Sequence, residues 1–265
     1  MTLRNENAIN WTKEQLKLAF YLYCQTPFGK LHSRNPAIIE LSKLIGRTPS
    51  ALAMKLVNFA SLDPSITTSG RVGLRSVSKL DRTIWDEFHL NWELLAVECE
   101  QLLRDLKQKR QTKVSVKRES DEDFVIEDFT GETRQALVEQ RIKQSFFRRA
   151  VLSSYRSRCC MSGVAEPRLL VASHIVPWSK DRANRLNPSN GLCLSAIHDK
   201  AFDKGLITLS VNLRIILSRE LRRREEAFIK EVFLPLENKV IEMPERFAPG
   251  AEFLEHHRRH IFVGD

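Results

Sequence analysis

The chain has 265 residues, 42% of them hydrophobic, and carries 42 Lys plus Arg against 33 Asp plus Glu, a formal charge of +9. That length and apolar content allow a buried core in one or two domains, and the basic excess favours polyanionic partners, nucleic acid first among them. No apolar run approaches the roughly 20 residues of a membrane span. The opening MTLRNENAINW lacks a signal-peptide core, and the five cysteines, Cys24, Cys99, Cys159, Cys160 and Cys193, follow no disulfide framework, so a reduced, cytoplasmic protein is expected.

Residues from about Asn10 to Arg104 read as mostly helical. Thr12 is a suitable N-cap for a helix whose apolar stripe runs through Leu16, Phe20 and Tyr23, before Pro27 and Gly29 break it. A second helix is expected near Pro36–Ile45, with Gly46 as the residue beyond its end. Thr48-Pro49 restarts a helix through Ala51, Met54, Lys55, Val57 and Asn58, which Asp63-Pro64 stops. Helix, Gly-containing turn and helix make a helix-turn-helix pattern, with Ser50, Lys55 and Asn58 as its polar candidates for DNA; an ordinary helical bundle is the alternative. The opening WTKEQ also resembles the start of SANT/Myb-like helical domains. Ser69-Gly-Arg-Val-Gly reads as a wing or phosphate-contacting loop, which makes Arg71 and Arg75 candidate DNA contacts. A helix from Lys79 to about Arg104 follows.

Lys107–Asp123, with few large apolar residues and a switch from basic to acidic, reads as a solvated linker. From Thr130 the helical pattern returns, with Leu137, Ile142, Phe146, Ala150 and Leu152 roughly in phase and a basic side of Arg141, Lys143, Arg148 and Arg149. A turn at Met161-Ser-Gly precedes a short strand, Leu169–Ala172.

The densest chemistry lies between Leu169 and Thr208. His174 closes the apolar strand and leads into Ile175-Val176-Pro177-Trp178. Asn187-Pro-Ser-Asn-Gly reads as an Asn-Gly turn before a second strand, Leu192–Leu194. The helix that follows carries His198, Asp199 and Asp203. Asp199 and Asp203 are four apart and share a helical face, with His198 pointing in a neighbouring direction. An imidazole titrates near neutrality and suits a general base, although a lone histidine on an apolar strand is more often structural.

This order of parts resembles the ββα-metal motif of HNH nucleases, in particular the HNH endonucleases of bacterial restriction systems. The likeness extends upstream to Arg158-Cys-Cys-Met-Ser-Gly and into the tail at Pro244-Glu-Arg-Phe and Phe253-Leu-Glu-His-His-Arg. It implies His174 as catalytic base, Asn190 as the brace of the histidine-bearing loop, and Asp199 as the preferred metal ligand. His198 is the runner-up, as ligand or as a catalytic donor to phosphate or leaving group, and Asp203 is a ligand or a partner of one. One Mg²⁺ or Mn²⁺ per site is implied, with Zn²⁺ or Ni²⁺ admitted by an imidazole ligand. Ser173 stands where many such enzymes place an Asp or His ligand. No Cys-x-x-Cys pair is present, so no structural zinc is expected. Lys180, Arg182, Arg185, Lys200 and Lys204 complete the expected DNA track.

The resemblance implies an α+β chain: a helical, helix-turn-helix-like recognition domain at 1–106, a charged linker at 107–129, and an HNH nuclease domain at 130–265. The expected activity is metal-dependent hydrolysis of double-stranded DNA, restriction-type and open to modification dependence, by a homodimer without a membrane partner. The alternative is a DNA-binding regulator whose nuclease domain is degenerate.

Overall fold

The computed structural model describes residues 10–68, 77–114 and 131–264. In chain order its main elements are α1 (Lys13–Gln25), α2 (Pro36–Leu44), α3 (Pro49–Ala60), α4 (Pro64–Thr68), α5 (Lys79–Leu90), α6 (Trp92–Val114) and α7 (Gly131–Ser154). They continue as β1 (Leu170–His174), β2 (Gly191–Ser195), α8 (Ala196–Asp203), β3 (Ile207–Leu209), β4 (Ile215–Leu217), α9 (Arg219–Arg222), α10 (Ala227–Val232) and α11 (Ala251–His260). The mixture of helices with two small antiparallel sheets is α+β.

The chain forms two compact units that interleave in sequence. The first comprises Met1–Tyr23, Gly29–Leu62 and Gly73–Phe146; the second comprises Cys24–Phe28, Asp63–Val72 and Phe147–Asp265.

The first unit is helical because apolar residues recur at helical spacing and the starts of α2 and α3 are capped. Asn35 accepts from the Ala37 amide and Thr48 from the Ala51 amide, so two orphan amides at the starts of α2 and α3 are satisfied. Gly46 turns the chain between them at φ +69°, a conformation that glycine adopts without strain. The core gathers around Phe20, whose ring lies 4.7 Å from Phe88, 5.0 Å from Phe59 and 5.3 Å from Trp85.

Two expectations change here. The helix read as continuous from Lys79 to Arg104 is interrupted at Asn91, which ends α5 and then caps α6 by accepting from the Leu94 amide at 2.9 Å. Helix α6 also runs on to Val114, into residues read from sequence as linker. Leu94 is exposed, but Leu95, Ala96 and Cys99 are buried, so the early part of α6 is held by packing.

The second unit is built on the β1–β2 hairpin, in which Ala172 pairs with Cys193 and His174 with Gly191. Gly191 is extended (φ −133°, ψ 144°), and the three residues before it form a single 3₁₀ turn, so the turn expected at Asn190-Gly191 lies one step earlier, at Pro188–Asn190. Glycine is needed at position 191 for space. A Cβ at Gly191 would lie 2.4 Å from Val151 Cγ2 and 2.9 Å from Phe147 Cζ, so its absence lets α7 seat on the hairpin. The guanidinium of Arg148 donates to the carbonyls of Leu170 and Pro167, which uses this member of the basic α7 face to hold β1.

Helix α11 fixes α8 from the far end of the chain. His257 stacks on Phe202 with ring centroids 3.7 Å apart. Its Nε2 donates to the Phe202 carbonyl at 3.1 Å, which leaves Nδ1 to accept from the Thr208 hydroxyl at 2.9 Å. The start of α11 is tied to the hairpin loop by a bond from the Gly250 amide to the Ser189 carbonyl.

Candidate active site

His174 occupies the last position of β1, half-buried, with three neighbours that fix its ring. Phe147 from α7 stacks on one face, with centroids 3.8 Å apart and planes 10° apart. Trp178 meets the ring edge-on at 5.5 Å. Nε2 lies 2.9 Å from the Arg185 carbonyl oxygen. A carbonyl only accepts, so Nε2 carries the hydrogen and Nδ1 holds the lone pair in the neutral ring. Burial lowers the His174 pKa below its usual 6.5, and the bond to Arg185 opposes that shift. The ring is therefore neutral at pH 7, the form a general base requires.

The loop that supplies this carbonyl is held by Asn190, which is fully buried. Its Oδ1 accepts from the Val176 amide at 2.8 Å, and its Nδ2 donates to the carbonyls of Val176 at 3.2 Å and Asn184 at 3.4 Å. The Asn190 carbonyl also accepts from the Ile175 amide. One side chain thus joins the segment after His174 to the loop that orients its ring. Asp181 folds the same loop by accepting from the amides of Ala183 and Asn184.

Helix α8 begins directly after β2. His198, Ala201 and Phe202 form its buried stripe, while Asp199 is half-buried and Asp203 exposed on the adjoining face. The His198 ring is only 2% exposed. Its Nδ1 lies 2.6 Å from the Ser195 hydroxyl, and its edge meets Phe233 at 5.5 Å. On the same inward side, burial raises the Cys159 thiol pKa, but His198 and the Ser162 amide outweigh it and bring the thiol to about 6. The structure therefore does not bring His198 together with Asp199 and Asp203 as a ligand set. A signal for this was present in the sequence: His198 is in phase with Ala201 and Phe202 at i+3 and i+4.

Asp199 and Asp203 do face one another. Partial burial of its carboxyl group, on a residue otherwise open to solvent, and then the charge of Asp199 raise the Asp203 pKa above its ordinary value. A hard divalent cation would relieve that repulsion, so this pair of oxygen ligands is one that could hold such an ion. Among the described residues no group of three or more His, Cys, Asp or Glu side chains is gathered for a metal. Ser173, beside the base, is buried with an unpartnered hydroxyl.

The expected DNA contacts divide. Lys180, Arg182, Lys200 and Lys204 are exposed, and the Arg185 guanidinium lies 5.1 Å above the Trp178 ring. Arg71 and Arg75 fall outside the described residues. Lys55 is a correction. Its ammonium is buried against the Asp81 carboxylate at 3.0 and 3.1 Å, so it is an internal ion pair with no reach to a phosphate. Asn58 is buried as well, which leaves Ser50 and Met54 exposed on α3.

Sequence reasoning missed Phe147, whose only signal was its place beside the apolar stripe of α7, and the Arg185 carbonyl, which has no sequence signal. All five cysteines are buried and none is in a disulfide. Among the described residues no helix is long and apolar enough to cross a membrane.

No curated protein matches the chain. Residues 159–210 match the family model described as HNH endonuclease, a span that includes β1, β2, α8 and β3. HNH nucleases generally use a divalent metal. The segment that carries His174, Asn190 and His198 is thus similar to the HNH endonuclease family.

Proposed function

We propose that the chain is a divalent-metal-dependent DNA endonuclease of restriction type, with His174 as the general base. The observation that carries this reading is the ring geometry: Nε2–H donates to the Arg185 carbonyl, and a depressed pKa leaves Nδ1 free to take a proton from water. Asn190 keeps that carbonyl in place and acts as a positioning residue. Asp199 and Asp203 would hold the cation, whose chemistry is to neutralise charge on the scissile phosphate. Lys180, Arg182, Arg185, Lys200 and Lys204 contact flanking phosphates. One such site cuts one strand, so two copies of the chain supply a double-strand break.

The burial of His198 away from Asp199 and Asp203 favours a second reading, a DNA-binding regulator with a degenerate nuclease domain. Plasmid digestion with Mg²⁺, Mn²⁺ or Ni²⁺ decides between them. Cleavage that disappears in His174→Ala while duplex binding persists supports the nuclease. Wild-type protein that binds DNA but stays inactive with all three ions supports the regulator. Matched modified and unmodified DNAs in the same assay test modification dependence.

A further inference from the structure

Helix α11 has a polar side that the site above does not use. His257, Phe253 and Leu254 point inward. His256 and His260, one turn apart, lie side by side with ring centroids 4.6 Å apart, His256 half-buried and His260 exposed. Across from His256 lies the loop that orients His174, with the Lys180 ammonium and the Asp181 carboxylate close enough to act on its charge. On α11 itself the charged neighbours are Glu252, Glu255, Arg258 and Arg259, of which Glu255 is paired with Arg259 and Arg258 donates to the Leu209 carbonyl. Asp181 spends its oxygens on the amides of Ala183 and Asn184 and on the Asn184 side chain.

Two adjacent imidazoles suit an anion once they are protonated, and the exposed Lys180 adds positive charge near His256. The position is fixed rather than fortuitous. The two ties of α11, at Ser189 and at Phe202 and Thr208, secure it to the hairpin and to α8. We propose that His256 and His260, with Lys180, form a protonation-dependent contact for a DNA backbone phosphate, beside the loop that orients His174. This contact rests on the nuclease reading for its substrate. Burial, and then the charge of His260, lower the His256 pKa below 6.5, with Asp181 opposing and Lys180 adding to the shift. A phosphate held at the outer edges of the two rings offsets that mutual repulsion with attraction, so DNA binding takes up protons and affinity rises as pH falls.

The test is binding of a fluorescent 20-base-pair duplex to the full chain in EDTA, at pH 8 and pH 5.5, over a salt series. Each phosphate contact contributes about 0.9 to the slope of log affinity against log salt, so the one phosphate gripped on protonation steepens it by up to about 0.9 and tightens binding by roughly tenfold. The His256→Gln, His260→Gln double variant is expected to lose the pH-dependent gain, and calorimetry in buffers of different ionisation enthalpy to lose the proton uptake. His256→Lys with His260→Lys is expected to hold the tight state at pH 8. A Gln variant that keeps the wild-type gain and slope overturns the proposal, as does a Lys variant that folds but binds no more tightly at pH 8. Plasmid cleavage separates the two levels: a wild type that cuts DNA with pH-independent binding sinks this contact alone, whereas titratable binding without cleavage sinks the nuclease reading alone.

Discussion

The imidazole of His174 lies flat against Phe147, with centroids 3.8 Å apart and planes 10° apart, so α7 sets the face of the base while the Arg185 carbonyl sets its edge. Burial in this stack holds the His174 pKa below 6.5. The base acts when neutral, so activity is lost as pH falls through that depressed pKa. The acid limb of kcat/KM against pH is therefore expected below 6.5, and a midpoint at or above 6.5 in the free enzyme would exclude His174 as the base.

Gly191→Ala tests the support behind that stack. The added methyl meets Val151 and Phe147 inside van der Waals distance, so a loss of about 1–3 kcal/mol in stability is expected from overpacking. The shift passes through Phe147 to His174, and cleavage should fall further than stability alone explains. Chemical denaturation beside a cleavage rate at saturating DNA measures the two effects separately.

Asn190→Ala removes three hydrogen bonds to the backbone, two of them to buried groups of Val176. Unsatisfied buried groups cost about 1–3 kcal/mol each before the loop relaxes, so a large loss of stability is expected. A positioning role predicts that kcat falls more than duplex affinity. Equal losses in both would reduce Asn190 to a purely structural part.

Lys55→Ala separates the two assignments of that residue. Removing one partner of a buried ion pair leaves Asp81 uncompensated and is expected to cost about 3–5 kcal/mol. The slope of DNA affinity against salt should not change. A slope reduced by about 1 at full folding would return Lys55 to the phosphate contacts.

His257 makes stability depend on pH. Burial lowers its pKa to about 4, whereas the unfolded chain has it near 6.5, so the unfolded state binds more protons between those values. Stability therefore falls as pH drops from about 6.5 to 4, by about 3 kcal/mol from this group. Denaturation midpoints at pH 7 and 4.5 for wild type and His257→Gln measure it; the variant starts lower but loses less on acidification.

The order strand, loop, strand, helix between Leu170 and Asp203 was set by the sequence itself, because its causes are local. An apolar run ends at His174, Pro188 and Gly191 shape the turn, and Ser195 precedes a helix with an apolar stripe. The pairing of Asp199 with Asp203 was legible for the same reason, a spacing of one helical turn. Orientation was not local. The side of α8 that turns inward depends on Phe202 meeting His257, and the fate of Lys55 on Asp81, partners more than 20 residues away. The tautomer of His174 depends on a backbone carbonyl, which any residue at position 185 would supply. Short-range sequence thus determined the type and order of the elements, while packing between distant segments decided which polar groups face the reaction and which are spent inside the fold.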